Sequence, residues 1–200
     1  INTEDKKFNN LQKIMNNYGY DLPSRVFEEC VGQKTSYFVK RYFPDIDEIT
    51  LNKIIDERRA CFLNNIDKIK LISGAKSLIK YLHQNYTLAI ATGSSIKVVA
   101  PILKFNSLDN YFNLIVANED VTTSKPNPEC YLYALKQLSL TSKEAIIIED
   151  AEAGVIAGKK AGCEVFAIKN HYNQQKLTSA DRIFNNHKEI LNYFKKNNNL

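Results

Sequence analysis

Three short stretches of the 200-residue sequence carry side chains that could bind a phosphate group or another small anion. They are Thr92-Gly93-Ser94-Ser95, Lys125-Pro126-Asn127-Pro128 and Glu149-Asp150. Each comes after a short apolar run that predicts a β-strand. Ligands of open parallel sheets bind beyond the carboxyl ends of the strands, so we expect the three stretches to lie at one edge of a sheet.

The first stretch combines a hydroxyl, a glycine and the start of a predicted helix. Thr92 offers the hydroxyl, Gly93 lets the main chain approach a ligand closely, and the helix amides that follow could complete a phosphate-sized cradle. The alternative is that Ser94 or Ser95 simply caps the helix. Taken alone, the stretch favours capping.

The second and third stretches add charges of opposite sign. The two prolines after Lys125 stiffen the chain, so the ammonium is held as a fixed point charge that could neutralise an anion. Adjacent carboxylates at Glu149 and Asp150 repel each other unless a cation such as Mg²⁺ lies between them and a substrate phosphate. The alternatives are an ordinary surface lysine and an acidic helix N-terminus, although Glu149 and Asp150 precede the predicted helix.

The pattern of apolar residues changes near residue 70. Before that point apolar residues recur at helical spacing and predict four helices, over about 8–18, 23–30, 35–43 and 47–65. After it, helices alternate with apolar strands at 87–91, 114–117, 145–148 and 164–168. This alternation predicts an α/β fold, with a parallel sheet covered by helices and a separate helical region.

Composition excludes several classes of protein. Apolar residues make up 44% and charged residues 24%, which is typical of a globular domain. No apolar run approaches the ~20 residues of a membrane span, and the start, INTEDKK, is too polar for a secretory signal, so we expect a cytoplasmic protein. The net charge of +5 is scattered, which suits small anionic substrates rather than nucleic acid, and four widely separated cysteines indicate neither a zinc site nor a disulfide framework.

In their order and separation, the three stretches resemble motifs II, III and IV of the haloacid dehalogenase superfamily, and most of all its β-phosphoglucomutase and phosphoglycolate-phosphatase-like branch. The resemblance covers residues 72–170, and the helical residues resemble the four-helix cap of that branch. It implies a Rossmann-like core with a parallel sheet and a small cap. Residues 1–4 would be a remnant of the core, 5–70 the cap domain, and 71–200 the rest of the core.

The resemblance also implies phosphoryl transfer through an aspartyl-phosphate. In the family, the first Asp of a DxDG motif is the nucleophile and the second is the general acid and base. Carried over to this sequence, Thr92, Gly93 and Ser94 would bind phosphate, with Thr92 and Lys125 as catalytic residues. Lys125 would also bind phosphate and offset charge on the transferring group, and Asp150 with Glu149 would hold Mg²⁺.

The sequence contains no DxDG motif. Ile1-Asn2-Thr3-Glu4 resembles the stretch that follows this motif in the branch, so we expect the nucleophile upstream of Ile1, and we expect the 200-residue chain alone to be inactive. Two explanations stay open: a preceding segment supplies the motif, or the protein is a catalytically inactive remnant with a rearranged sheet. The first is favoured, because a core without its first strand would leave main-chain groups unpaired.

Substrate selection in such enzymes belongs to the cap. Candidate substrate-binding residues are Lys7, Gly32 and Lys34, although Lys7 could be a solvated helix residue and Gly32 a helix terminator. The mutase has a cap histidine near the Lys7 position and an arginine near Thr35, and their absence here favours a phosphatase of sugar or organic-acid phosphates. A β-phosphoglucomutase-like mutase and an inactive phosphate-binding or scaffold protein are the alternatives. We expect a monomer whose partner is a small phosphorylated metabolite, and we interpret Tyr131 and Tyr133 as helix packing.

Overall fold

The computed structural model describes residues 4–30, 35–170 and 177–197, without the side chains of residues 4–7 and 28. The chain forms two compact units, one reaching to Leu71 and the other starting at Ile72. The helices of the first unit are α1 (Glu4–Asn17), α2 (Phe27–Cys30), α3 (Thr35–Tyr42) and α4 (Glu48–Leu63). These are the four helical regions that the sequence predicts.

The first unit is built around the apolar faces of these helices. In α1, Leu11 and Met15 are fully buried at the four-residue spacing that places side chains on one helix face. Gly19 then adopts a positive φ of 81°, which is why a glycine follows the end of the helix. Helix α4 starts where the Asp47 side chain accepts a hydrogen bond of 2.8 Å from the amide of Thr50.

The second unit alternates strands and helices. Its helices are α5 (Ala75–His83), α6 (Ile96–Phe105), α7 (Glu129–Gln137), α8 (Glu152–Lys160) and α9 (His187–Asn197). Its strands are β1 (Ala89–Ala91), β2 (Leu114–Val116), β3 (Ile146–Glu149), β4 (Glu164–Ile168) and β5 (Arg182–Phe184). Within the described ranges, no helix has the length and apolar character needed to cross a membrane.

All strand pairs in the described part of the chain are parallel, as expected for βα alternation. The sheet is in two parts, one in the order β1-β2 and the other in the order β3-β4-β5. The registers align Ala91 with Val116 in the first part and Glu149 with Ala167 in the second. Among the described residues, β1 and β3 each pair along one side only.

Burial follows this arrangement. Along β4, Val165 and Ala167 pack against α8, whereas Phe166 and Ile168 join the cluster formed with α5 and α9, so both faces of the strand are covered. Strand β3 is less protected, and Ile146 at its start is 40% exposed. The α/β class, with a helical unit and a parallel-sheet unit, is confirmed, and the division of the sheet is a feature that the apolar pattern alone does not reveal.

Candidate functional site

The Lys125 side chain connects the carboxyl ends of two strands. Its Nζ donates a hydrogen bond of 3.1 Å to the main-chain oxygen of Ala91, the last residue of β1. The same ammonium forms an ion pair with Oε1 of Glu149, the last residue of β3. Because Thr92 follows Ala91 and Asp150 follows Glu149, the structure brings all three predicted stretches to one edge of the second unit.

The position of Lys125 is fixed by the start of α7. The carboxylate of Glu129, the first residue of that helix, accepts hydrogen bonds from the amides of Thr122 at 2.8 Å and Thr123 at 2.7 Å. On the other side of Lys125, Oδ1 of Asn127 accepts from the amide of Glu129 at 2.9 Å. The loop is therefore tied down on both sides of Lys125, and the peptide bond between Lys125 and Pro126 is cis.

The carboxylate of Glu149 is surrounded by donors. Oε1 accepts from Lys125 and from the Tyr131 hydroxyl, at 2.6 Å for the latter. Oε2 accepts from the amides of Asp150 at 3.1 Å and Ala151 at 3.3 Å. A carboxylate has about four lone-pair directions, so this arrangement occupies the capacity of Glu149 for hydrogen bonds. Its side chain is only 12% exposed.

The electrostatics of this cluster keep Glu149 charged. Burial by itself would raise its pKa, but the Lys125 ammonium and the hydrogen bonds from Lys125 and Tyr131 outweigh burial and hold the pKa of Glu149 below its usual value. Burial, followed by the negative charge of Glu149, raises the pKa of Tyr131. Tyr131 is therefore a neutral donor facing a charged acceptor.

Asp150 has a different environment from its neighbour. It is exposed, and the Asn170 amide donates to its main-chain oxygen at 3.1 Å and to its Oδ2 at 3.4 Å. Loss of hydration to the surrounding protein, followed by repulsion from Glu149, raises the pKa of Asp150. An exposed carboxylate beside a second negative charge suits a hard cation such as Mg²⁺.

The residues at this edge match a metal site only in part. Asp150 offers a carboxylate that a cation could reach, whereas the oxygens of Glu149 are already engaged by four donors. Within the described ranges, no group of three or more His, Cys, Asp and Glu residues could hold a metal ion. Further ligands could be main-chain or amide oxygens, oxygens of substrate or water, or residues outside those ranges.

The loop after β1 leaves Gly93 open. The amide of Ser94 donates to Oγ1 of Thr92 at 3.1 Å, and the main-chain oxygen of Ser94 accepts from the amide of Asn118 at 3.1 Å. The second of these bonds holds the loop against Asn118, two residues after the end of β2. Gly93 is exposed, and nothing lies within 4 Å of the position that a β-carbon would occupy. Its main chain is thus accessible to a ligand of phosphate size.

Ser95 caps the start of α6, as the capping alternative predicts. Its Oγ accepts from the amide of Lys97 at 3.2 Å and donates to Glu119, whose Oε2 accepts from the amide of Ile96 at 3.1 Å. The first helix amides therefore bond to Ser95 and Glu119. The cradle expected from the sequence is reduced to Thr92, Gly93 and Ser94, because a carboxylate from the loop after β2 takes the place assigned to an anion.

Three residues of this region were not identified from the sequence. Glu119 comes from a distant loop, Asn170 follows β4, and the sequence indicates only helix packing for Tyr131. Tyr131 is indeed buried, at 7% exposure, but its ring also lies 4.6 Å from the Lys125 ammonium. The one available signal was its place in the first turn of α7, six residues after Lys125.

The three predicted cap residues lie wholly or partly outside the described residues. Lys7 belongs to α1, but its side chain lies outside the described residues. Gly32 and Lys34 also lie outside them. Their roles in substrate binding stay predictions.

Comparison with known proteins places this geometry in context. Residues 1–168 match the haloacid dehalogenase-like hydrolase family. The bifunctional riboflavin kinase/FMN phosphatase of Arabidopsis thaliana is 31% identical over 192 residues, which are 92% of this chain and 50% of that protein. The phosphoglycolate phosphatase of Pseudomonas fluorescens is 23% identical over 152 residues, or 72% of this chain and 56% of that protein. The chain thus spans about half the length of these curated relatives.

A solved structure has the same fold. The β-phosphoglucomutase of Clostridium difficile superposes with a TM-score of 0.83, at 20% identity, covering 97% of this chain and 90% of that one.

Proposed function

The chain belongs to the haloacid dehalogenase-like hydrolases, and from that premise we propose that it is a phosphatase of small phosphate monoesters. The proposed substrates are sugar or organic-acid phosphates, and the relatives named above as phosphatases support this class. We further propose an aspartyl-phosphate mechanism with a nucleophile upstream of residue 1. We also propose that the protein is cytoplasmic and monomeric.

The observation that carries the proposal is the position of the Lys125 ammonium. An ammonium has three N–H donors, and those of Lys125 reach the Ala91 oxygen and Glu149. Among the described residues these are its only hydrogen-bond partners, so one donor remains for a phosphate oxygen. This donor lies beside the Thr92 loop, where the accessible main chain of Gly93 could bind the same group.

The upstream nucleophile would complete the sheet. Strands β1 and β3 each pair on one side among the described residues, and Lys125 joins their carboxyl ends. A strand inserted between them would satisfy main-chain groups on both edges and would end beside Lys125. An aspartate at the end of such a strand would meet the ammonium and the Thr92 loop together.

The roles of the chain's own residues follow from this geometry. Thr92 Oγ1 and the Gly93 amide would bind oxygens of the phosphate, and Lys125 would offset negative charge on the nucleophile and the transferring group. Asp150 would hold Mg²⁺, which when bound neutralises charge on the phosphoryl group. Glu149 would stabilise this arrangement through Lys125. In the cap, Lys7, Gly32 and Lys34 are proposed to bind substrate.

Product analysis tests the proposal. The full-length protein should release inorganic phosphate from sugar and organic-acid phosphates in the presence of Mg²⁺. A mutase would instead isomerise a hexose phosphate when a bisphosphate is present. Phosphate or Mg²⁺ binding in calorimetry, without release from any ester, would contradict the proposal in favour of an inactive binding or scaffold protein.

A further inference from the structure

The contacts of Tyr131 give it a role that its place in the apolar core does not explain. We infer that Tyr131 is a positioning residue: its hydroxyl holds Glu149 so that Glu149 in turn holds the Lys125 ammonium where phosphate binds. The inference rests on the proposed function. It adds a residue to the site that neither charge nor motif spacing identifies.

Tyr131 contacts both members of the ion pair. Its hydroxyl donates to Oε1 of Glu149 at 2.6 Å, the same oxygen that accepts from Lys125. The centre of its ring lies 4.6 Å from the Lys125 ammonium, within the range of a cation–π interaction. One side chain therefore restrains the carboxylate through a hydrogen bond and the ammonium through its ring face.

The remaining contacts of Glu149 make the hydroxyl important. Among the described residues, the other carboxylate oxygen accepts only from the amides of Asp150 and Ala151. These two bonds, of 3.1 and 3.3 Å, are longer than the bond of 2.6 Å from Tyr131. Without the hydroxyl, Oε1 would have Lys125 as its only donor and the carboxylate could rotate. Rotation would carry the ammonium away from the Thr92 loop, or turn the carboxylate toward the cation proposed at Asp150.

The test removes the hydroxyl and keeps the ring. In the full-length protein, Tyr131→Phe should lower kcat for p-nitrophenyl phosphate in Mg²⁺ about tenfold, at the lower end of the loss caused by removing a hydrogen-bond partner of a metal ligand. The KM should change less than about twofold, because Tyr131 itself does not touch the substrate and Lys125 offsets charge mainly on the transferring group in the transition state. Tyr133→Phe is the matched control, since Tyr133 lies on the same helix and is 37% exposed.

A thermodynamic cycle separates positioning from structural support. If Tyr131 acts through Glu149, Tyr131→Phe should cost little further activity in a Glu149→Gln background. A similar loss of kcat in both backgrounds would overturn the inference, as would a kcat for Tyr131→Phe equal to that of Tyr133→Phe.

A second measurement does not depend on turnover. Brief acetylation of the folded protein, read by peptide mass spectrometry, should label Lys125 several-fold faster in Tyr131→Phe than in Tyr133→Phe, because the ammonium is less firmly held. Unchanged labelling of Lys125 would overturn the inference, whether or not the protein hydrolyses a phosphate ester. Absence of hydrolysis would separately reject the proposed function. If Tyr131→Phe does not fold, Glu149→Gln instead removes the charged acceptor of the Tyr131 hydroxyl, and it too should expose Lys125 to labelling. Labelling of Lys125 as slow as in the wild type would then overturn the inference.

Discussion

The carboxyl group of Glu149 lies against the α-carbon of Gly154, in the space where any other residue would carry a β-carbon. A β-carbon at residue 154 would come within 3.0 Å of the carboxyl carbon and of both oxygens. Gly154 is in the first turn of α8, so the close approach of helix and carboxylate depends on the missing side chain. The ion pair at the candidate site is thus confined by Gly154 as well as by Tyr131.

Gly154→Ala should therefore destabilise the protein. In an exposed helix the same change stabilises by up to about 1 kcal/mol, but here the methyl group must displace Glu149, and we expect a net loss of roughly 1–3 kcal/mol in the free energy of unfolding by urea. It should also raise the acetylation rate of Lys125.

Gly158→Ala is the control for this prediction. Its β-carbon would lie 2.8 Å from Cγ2 of Val165 and 3.0 Å from Cδ1 of Ile147, so it should cost stability without disturbing Glu149. A Gly154→Ala protein as stable as the wild type, with Lys125 still protected, would contradict the packing described for Glu149.

Lys125→Met should leave a buried negative charge without its partner. The two side chains are only 18% and 12% exposed, and breaking a buried pair by removing one partner costs about 3–5 kcal/mol. The double variant Lys125→Met/Glu149→Met should recover much of this loss, because it leaves no charge to desolvate. Urea unfolding at pH 7 measures both. Equal stabilities of the single variant and the wild type would show that solvent reaches Glu149 freely.

Asp150→Asn should separate function from stability. Since loss of hydration and the charge of Glu149 raise the pKa of Asp150, its ionised form is disfavoured in the folded protein. Removing the charge should leave the free energy of unfolding at pH 7 unchanged or slightly higher, while Mg²⁺-dependent activity is lost. Thermal unfolding and phosphate release measure the two effects. A large drop in melting temperature would assign Asp150 a structural role instead.

Asp181, which bonds to none of the site residues named above, should make the stability of the protein depend on pH in the acid range. Its carboxylate accepts from Nζ of Lys159 at 2.6 Å and from the amide of Val165 at 2.7 Å, and the lysine bond is the main reason why the pKa of Asp181 lies below its usual value of 3.8. A lowered carboxyl pKa stabilises the fold above the unfolded value, and the stabilisation is lost as pH falls through the folded one.

Asp181→Asn tests this dependence. The side chain is 35% exposed, so after allowance for solvent screening we expect a loss of only about 1 kcal/mol at pH 7. The difference from the wild type should shrink below about pH 4. Urea unfolding across that range measures it, and a constant difference would show that the carboxylate charge is irrelevant.

The sequence predicts the helices, the strands and the motif residues better than the side chains that form hydrogen bonds with those residues. Apolar periodicity is enough for the helices and for β1 to β4, because burial on one or both faces determines those residue types. It does not reveal β5, whose three residues include two that are exposed. Glu119 bonds to Ser95 across 24 positions of sequence, and such a pairing depends on how two loops meet, which local pattern does not encode.

The hydrogen bond of Tyr131 is another pairing that local sequence pattern does not reveal. Its burial is predictable from its place in an amphipathic helix, but its hydroxyl finds Glu149 only because β3 ends beside the start of α7. The adjacent acids Glu149 and Asp150 likewise look equivalent in sequence. The structure separates them, since one is enclosed by four donors and the other is exposed.

The most direct test of the central claim compares phosphate release by the 200-residue chain with release by a longer protein that carries the proposed upstream segment. With p-nitrophenyl phosphate and Mg²⁺, the account predicts turnover by the longer protein, which should contain a DxDG motif shortly before Ile1, and none by the 200-residue chain. Mg²⁺-dependent turnover by the 200-residue chain itself, abolished by Asp150→Ala, would contradict the account, because the nucleophile would then lie within residues 1–200.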